Sequence, residues 1–187
     1  GVMVEHRSLC NQVMALQQRY GLAPSDRVLQ FAAASFDMSV EEIFGALCSG
    51  ATLVLATPDW VSDAQGWCAL ARDAGLTVAN LPTLFWQQIA LAPQAPLPAS
   101  LRLLAIGGEA VSEAALAAWW ARPGYRPALF NAYGPTEATV NASVLACHPQ
   151  AHPRSIGHPL ANMRLYVLDR HGAPVPVAVQ VARRLRS

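Results

Sequence analysis

The sequence predicts an α/β protein in which a mostly parallel sheet is flanked by helices. Short apolar segments typical of buried strands alternate along the chain with longer segments whose apolar residues recur at helical spacing. This alternation implies crossover connections, which place parallel strands side by side and helices on the faces of the sheet. The chain has 187 residues, of which 53% are hydrophobic and 13% charged, so it can bury a sizeable core of about one domain.

Composition also excludes several classes of protein. A formal net charge of +1 provides no basic field, so binding to nucleic acid is not expected. No apolar run is long enough to cross a bilayer and no signal-peptide pattern is present, which predicts no membrane contact and a cytoplasmic location. Cys10, Cys48, Cys68 and Cys147 are widely spaced, which favours reduced thiols over disulfides.

The first elements follow from periodicity and from capping residues. A helix is predicted over residues 8–20, where apolar residues recur on one face and a glycine follows. Residues 28–33 form a short apolar run that predicts a buried strand. Ser39 and Glu42 have the spacing of a capping box, which predicts a helix over residues 39–49.

The middle of the chain repeats the alternation of strand and helix. Strands are predicted over residues 51–56 and 76–81, and helices over residues 62–74 and 83–91. Asn80 lies near the carboxyl end of its strand, where ligands bind in open α/β sheets.

The last elements complete the predicted sheet. Residues 101–106 and 128–132 are predicted strands, separated by a helix over residues 112–120. Residues 163–169 alternate between apolar and polar side chains, which predicts an edge strand that ends in a hairpin turn at residues 170–172.

Residues 131–137, with the sequence NAYGPTE, combine groups that suit a nucleotide and its metal. Gly-Pro makes a stiff corner after the strand. Around it, Asn131 offers a donor and an acceptor, Tyr133 a flat face for a base, Thr136 a hydroxyl for a phosphate, and Glu137 a hard oxygen ligand for Mg²⁺. From spacing alone an ordinary strand-to-helix turn is the favoured interpretation of the segment, because Gly-Pro and capping residues are common there.

Asp37 lies at the junction between a predicted strand and a predicted helix. Its carboxylate suits two roles, either capping the helix or forming a charge-assisted contact with the ammonium group of a ligand.

Several motifs in order resemble those of the adenylation domains of nonribosomal peptide synthetases, which are adenylate-forming enzymes. The motifs are residues 36–39 (FDMS), 107–109 (GGE), 131–137 (NAYGPTE) and 156–159 (IGHP). The resemblance covers about residues 1–176 and implies part of the large N-terminal subdomain of such an enzyme. It also implies that ATP and an amino acid react to give aminoacyl-AMP and pyrophosphate, with Mg²⁺, before the acyl group passes to the phosphopantetheine of a carrier domain.

The resemblance assigns roles to individual residues. Thr136 and Glu137 are implied to be catalytic, with Glu137 as the metal ligand. The implied nucleotide-binding residues are Gly108, Glu109, Ala110, Asn131, Ala132, Tyr133, Gly134 and Thr136. The implied substrate-binding residues are Asp37, Met38, Glu41, Asn80, Ala105, Gly107, Ala132, Val140 and Asn141, with Asp37 on the α-ammonium group.

The implied substrate pocket predicts a long side chain with a cationic or hydrogen-bonding end. Small residues at 105, 107 and 132 leave depth, while Glu41 and Asn80 place a carboxylate and an amide in apolar surroundings. Ornithine and hydroxyornithine, which are substrates typical of siderophore biosynthesis, have this character. Alternatively, Glu41 faces solvent on its helix.

The resemblance also implies partners, namely peptidyl carrier and condensation domains. Residues 1–6 resemble the end of the family's phosphate-binding loop, and the rest of that loop and the smaller C-terminal domain are not in the sequence, so residues 1–187 alone are expected to be inactive. Residues 177–187 depart from the family pattern, and we interpret them as the result of a truncation or a shifted reading frame.

Two other functions are considered. An acyl- or aryl-CoA ligase of the same superfamily shares the nucleotide site, but its substrate has no ammonium group for Asp37 to bind. A noncatalytic nucleotide-binding module would account for the missing catalytic parts.

Overall fold

The computed structural model describes residues 1–92 and 94–175, and it confirms an α/β architecture. The strands are β1 Arg27–Gln30, β2 Thr52–Leu55, β3 Val78–Pro82, β4 Leu103–Gly107, β5 Ala128–Tyr133, β6 Ser143–Ala146 and β7 His158–Pro159. The helices are α1 His6–Tyr20, α2 Met38–Cys48, α3 Ala64–Asp73, α4 Thr83–Leu91 and α5 Glu113–Ala121, with 3₁₀ turns at Pro58–Val61 and Thr136–Ala138.

Within these residues the strands form one sheet in the order β2-β1-β3-β4-β5-β6-β7. The strands from β2 to β5 are parallel to their neighbours, whereas β6 pairs antiparallel with β5 and β7 antiparallel with β6. The sheet is therefore mixed but mostly parallel, as the alternation of strands and helices predicts.

Helices cover both faces of the sheet. One apolar cluster contains Trp67, Trp86 and Trp119, which come from α3, α4 and α5 and are fully buried. The opposite cluster contains Leu16 and Tyr20 of α1. Alternate residues of the central strands contribute to the two clusters, as expected for strands that are buried on both faces.

The predicted capping box between Ser39 and Glu42 is wrong. Helix α2 begins one residue earlier, at Met38, and the Ser39 hydroxyl donates to the carbonyl of Phe36 at 2.7 Å. The Glu42 carboxylate instead accepts the main-chain N–H groups of Phe31 and Ala32, both at 3.1 Å. Strand β1 ends at Gln30 and not at residue 33, because these two N–H groups turn toward Glu42.

The predicted edge strand over residues 163–169 is also wrong. The segment makes only an isolated antiparallel bridge between Leu168 and Pro174, closed by a turn in which Gly172 donates to the carbonyl of Asp169 at 3.1 Å. The hairpin turn is thus present, but the segment does not join the sheet. The antiparallel side of the sheet is formed by β6 and β7, which periodicity does not predict.

The predicted tail over residues 177–187 lies outside the described residues. In residues 1–92 and 94–175, no helix combines the length and the apolar character needed to cross a bilayer.

Candidate active site

The parallel strands end at one edge of the sheet, and the predicted site residues gather there. Because β2 and β3 lie on opposite sides of β1, the connections that leave β1 and β3 open a crevice of the kind in which α/β proteins bind ligands. Asp37 follows β1, Asn80 is part of β3, and Gly107 and Tyr133 end β4 and β5.

Gly134 turns the chain after β5 through a close approach of main chains. A Cβ atom at this position would clash with the Val140 carbonyl oxygen and lie 2.6 Å from the Ala142 nitrogen, so any other side chain would force the backbone apart. Glycine is required here for this close approach and not for a positive φ angle, since Gly134 is not among the positive-φ residues. Thr136 and Glu137 then follow on an exposed 3₁₀ turn.

Asp37 faces that turn. The Thr136 hydroxyl donates to the Asp37 carboxylate, with 2.5 Å between Oγ1 and Oδ2. Asp37 occupies the N-cap position of α2, but its side chain makes no hydrogen bond to the helix. The capping role is therefore not the one that its carboxylate fulfils, and the predicted amine-binding and phosphate-binding residues face the same hollow.

A small cavity of about 60 Å³ lies between α2 and the ends of the strands. Its lining consists of Phe36, Asp37, Met38, Glu41, Asn80, Gly107, Gly108, Ala132, Gly134, Val140 and Asn141. Every residue predicted to bind the substrate is in this set except Ala105, which is buried in β4 two residues before Gly107. A Cβ atom on Gly107 would lie 2.9 Å from the Ala132 carbonyl oxygen, so strands β4 and β5 leave no room for a side chain there.

Glu41 belongs to the wall of the cavity and does not face solvent, since only 7% of it is exposed. The alternative that it points outward is therefore wrong. Asn141 donates from Nδ2 to Glu41 Oε2 at 2.5 Å. Burial raises the pKa of Glu41 to about 7, although the hydrogen bond from Asn141 opposes this shift.

Two more polar atoms are buried beside Glu41. The hydroxyl of Tyr20 and Oδ1 of Asn80 have no hydrogen-bond partner among the described residues. Burial, followed by the nearby Glu41 charge, raises the pKa of Tyr20 well above its ordinary value. An unpaired buried polar atom typically costs about 1–3 kcal/mol, so Oδ1 of Asn80, which lines the cavity, favours a ligand that donates a hydrogen bond.

The wall of the cavity beside α2 contains a strained turn. Thr139 and Val140 have φ angles of 63° and 66°, in the left-handed region that β-branched residues avoid. Such residues cost on the order of 1–3 kcal/mol each and persist only where their surroundings hold them. The Asn141 N–H donates to the Thr139 carbonyl at 2.9 Å within this turn.

Most of the residues predicted to bind the nucleotide lie along the rim, whereas Asn131 and Ala132 are buried in β5. Gly108, Glu109 and Ala110 are exposed after β4, and Tyr133 is 46% exposed. Asn131 is buried and donates from Nδ2 to the Ser155 carbonyl at 3.3 Å. Gly108 has a φ of 89° and no atom within 4 Å of where a Cβ would lie, which leaves its outer face open.

The sequence gives no signal for several buried residues that support the site without lining the cavity. Thr83 is fully buried at the start of α4, and its hydroxyl lies 3.0 Å from the Gly107 carbonyl and 3.3 Å from the Glu109 carbonyl. In the sequence, the Pro-Thr pair indicates only a helix start. Gln12 and Tyr20 lie on a helix whose periodicity indicates packing, and their distance from the motifs in sequence gives no signal of their place in the site.

Comparison with known proteins supports the family resemblance. The sequence profile of the AMP-binding enzymes matches residues 1–180. The chain belongs to this family.

Its curated relatives include peptide synthetases. The isonitrile lipopeptide synthase of Streptomyces coeruleorubidus is 42% identical over 175 residues, which cover 90% of this chain and 12% of that protein. Tyrocidine synthase 2 of Brevibacillus parabrevis is 38% identical over 171 residues, which cover 90% of this chain and 4% of that protein. The chain thus spans a small part of the length of these relatives.

Solved structures agree with the sequence relatives. A variant of the nonribosomal peptide synthetase FmoA3 superposes with a TM-score of 0.80 at 30% identity, over 93% of this chain and 19% of that chain. The four-domain nonribosomal peptide synthetase AB3403, solved with AMP and glycine, gives a TM-score of 0.79 at 28% identity, over 94% of this chain and 13% of that chain. These similarities confirm the predicted fold and the resemblance to adenylation domains.

Proposed function

We propose that this chain provides the amino-acid pocket and part of the nucleotide site of a domain that activates an amino acid with ATP. In this reaction a carboxylate oxygen of the amino acid attacks the α-phosphorus of ATP. The bond from that phosphorus to the bridging oxygen breaks, and pyrophosphate leaves with the electron pair. The observation that carries the proposal is the 2.5 Å contact between Asp37 and Thr136, which joins an amine-binding carboxylate to the phosphate-binding corner.

The exposed rim fits a nucleotide. Tyr133 offers a half-exposed ring for the base, and the open face of Gly108 leaves room for a ligand against the main chain. The Thr136 hydroxyl is placed to donate to a phosphate oxygen once it leaves Asp37. Such preorganised donors stabilise charge that develops in the transition state.

Glu137 is the residue that would hold Mg²⁺. Its carboxylate lies on the exposed turn directly after Thr136, and Mg²⁺ commonly binds one or two protein carboxylates together with substrate phosphates. The metal would reduce the repulsion between the phosphates and the incoming carboxylate.

The cavity supports an amino acid with a long side chain that ends in hydrogen-bond donors. With its α-ammonium group on Asp37, a side chain would extend toward Glu41 and Asn80 between the small residues Gly107 and Ala132. A terminal ammonium or hydroxylamine group would donate to the Glu41 carboxylate and to the free Oδ1 of Asn80. Ornithine or hydroxyornithine has this chemistry, and siderophore assembly is a use for such units.

The later steps follow from the class of the relatives. The aminoacyl group would pass from AMP to the phosphopantetheine thiol of a carrier domain, and a condensation domain would then extend the peptide. The support for this part is that a relative is named as a lipopeptide synthase and that a solved neighbour is a four-domain nonribosomal peptide synthetase.

The test is amino-acid-dependent exchange of pyrophosphate into ATP, measured on the full-length adenylation domain that contains this chain. A panel of amino acids is expected to give the highest exchange with ornithine or hydroxyornithine. Exchange with other amino acids alone would overturn the substrate assignment, and no exchange with any amino acid would overturn the activity.

An acyl- or aryl-CoA ligase is disfavoured. The cavity wall contains both Asp37 and Glu41, and a fatty or aryl acid has no cation to neutralise them. Calorimetry of residues 1–187 with ATP and Mg²⁺ distinguishes nucleotide binding without catalysis from complete inactivity.

A further inference from the structure

We propose that Gln12 is a positioning residue for substrate recognition, although it does not line the cavity. It would hold the strained turn at Thr139 and Val140 and fix the amide of Asn141, which in turn orients Glu41. This inference rests on the proposed function and identifies the support of the same pocket.

Gln12 is buried in α1, with 3% of its surface exposed. The surrounding donors and acceptors determine the orientation of its amide. In that orientation the nitrogen donates to the carbonyls of Thr139 at 3.1 Å and Asn141 at 3.0 Å, while the oxygen accepts from Asn141 N at 3.1 Å and Nδ2 at 3.2 Å. One side chain thus makes four polar contacts with the turn, in one of which the Asn141 N–H is shared with the Thr139 carbonyl.

These bonds explain how the turn keeps its unfavourable backbone. Val140 lies between the two residues that Gln12 contacts, so both ends of the left-handed segment are bound to the same amide. On the other side, Gly134 packs its backbone against Val140 and Ala142. The turn is therefore held between α1 and the nucleotide corner.

The Gln12 amide also fixes the orientation of the Asn141 side chain. The Nδ2 group of Asn141 has two hydrogens, one of which reaches Glu41 Oε2 and the other Gln12. The Glu41 carboxylate is thereby held through Oε2 in a fixed orientation at the wall of the cavity. Loss of Gln12 would free the turn, let the Asn141 amide rotate and remove the fixed orientation of Glu41.

The experiment compares Gln12→Met and Gln12→Glu with the wild-type full-length domain in the pyrophosphate exchange assay. Met has a similar length but no amide, and an ionised Glu cannot donate to the two carbonyls. Gln18→Met is the matched control, since Gln18 is exposed on the same helix. We expect KM for the amino acid to rise about 10-fold or more in both Gln12 variants, with kcat and the KM for ATP nearly unchanged.

The outcomes separate this inference from the proposed function. An inactive wild-type domain would overturn the function itself. An active wild-type domain with an unchanged amino-acid KM in the Gln12 variants would overturn the positioning role alone. If KM rises equally for ATP and for the amino acid, and the unfolding temperature falls, Gln12 only stabilises the fold. If Gln12→Met does not fold, the nearly isosteric Gln12→Glu decides by the same criteria.

Discussion

Asp37 and Glu41 are separated by one helical turn at the start of α2, but their surroundings give them different tasks. Asp37 is half-buried and meets the hydroxyl of Thr136, whereas Glu41 is buried against the amide of Asn141. We therefore expect Asp37 to select the α-amino group and Glu41 to select the end of the side chain.

Glu41 provides a prediction of pH dependence. Its pKa is raised to about 7 by burial, and only the ionised carboxylate pairs with a cationic side chain. The amino-acid KM should therefore fall as the pH rises through about 7. Tyr20, Asn141, Asn80 and Asp37 face the same carboxylate, and none of these side chains brings a positive charge.

Glu41→Gln is expected to raise the amino-acid KM by about 10- to 100-fold at high pH, because a neutral amide loses a charge-assisted hydrogen bond. The KM of the variant should also no longer vary across this pH range. The measurement is the exchange assay over a pH series with ornithine. A variant that keeps the wild-type pH profile would show that Glu41 does not meet the substrate.

Asp37→Asn tests the other end of the substrate. The wild-type domain should strongly prefer an amino acid to the matching α-hydroxy acid, because only the amino acid presents an ammonium group to Asp37. In the variant this preference should largely disappear, as measured by competition between the two acids in adenylate formation. Glu41→Gln serves as the control, since it should keep the preference.

At this scale the motifs predict the residues that face the cavity but not those that support them. Asp37 and Thr136 belong to recognisable segments, and their contact follows from the parallel strands that end at one edge. Gln12 and Thr83 act through hydrogen bonds to main-chain carbonyls, which any side chain with a donor group can make. Their roles depend on distances between segments far apart in sequence.

At the scale of elements, the junction between β1 and α2 depends on Glu42. Its carboxylate binds the N–H groups of Phe31 and Ala32, so it sets where β1 ends and where the connection to Asp37 begins. Burial raises the pKa of Glu42 to about 8, although these two hydrogen bonds favour the ionised form.

Glu42 gives a prediction for stability. Because its pKa is higher in the folded state than the ordinary 4.5, the folded chain binds more protons between pH 4.5 and about 8. The contribution of this group to the free energy of unfolding is greatest below this window and is lost as the pH rises through it, by at most about 1.4 kcal/mol per pH unit. The free energy of unfolding, measured by urea titration at several pH values, should vary less steeply with pH in Glu42→Gln than in the wild type. An unchanged slope would contradict the assignment.

Periodicity predicts the helices and the parallel strands. It does not predict which partner a capping residue binds or which strand a segment pairs with. Ser39 and Glu42 have the spacing of a capping box, yet Glu42 binds the preceding strand end because buried N–H groups there need acceptors. Residues 163–169 alternate as a strand does, but β7 already occupies the edge beside β6. Alternation shows that a segment can pair, not which partner it finds.

At the scale of the whole molecule, three tryptophans hold the outer helices on the sheet. Trp86 and Trp119 are fully buried, with their ring centroids 5.7 Å apart. We expect Trp119→Ala to lower the free energy of unfolding by about 3–5 kcal/mol. Trp120→Ala, on the next residue and only partly buried, should cost clearly less. Equal costs in urea unfolding would contradict this view of the core.

The contact of Gly134 with Val140 and Ala142 has a consequence for engineering. A design that redirects the domain to a new building block by exchanging individual pocket side chains treats the pocket as separate from the nucleotide site. Here the corner that we propose binds ATP and the wall that we propose recognises the amino acid share one continuous length of main chain over residues 131–142. A chimera that exchanges residues 131–142 together with helix α1 would preserve both the activation of the amino acid and the selectivity for it.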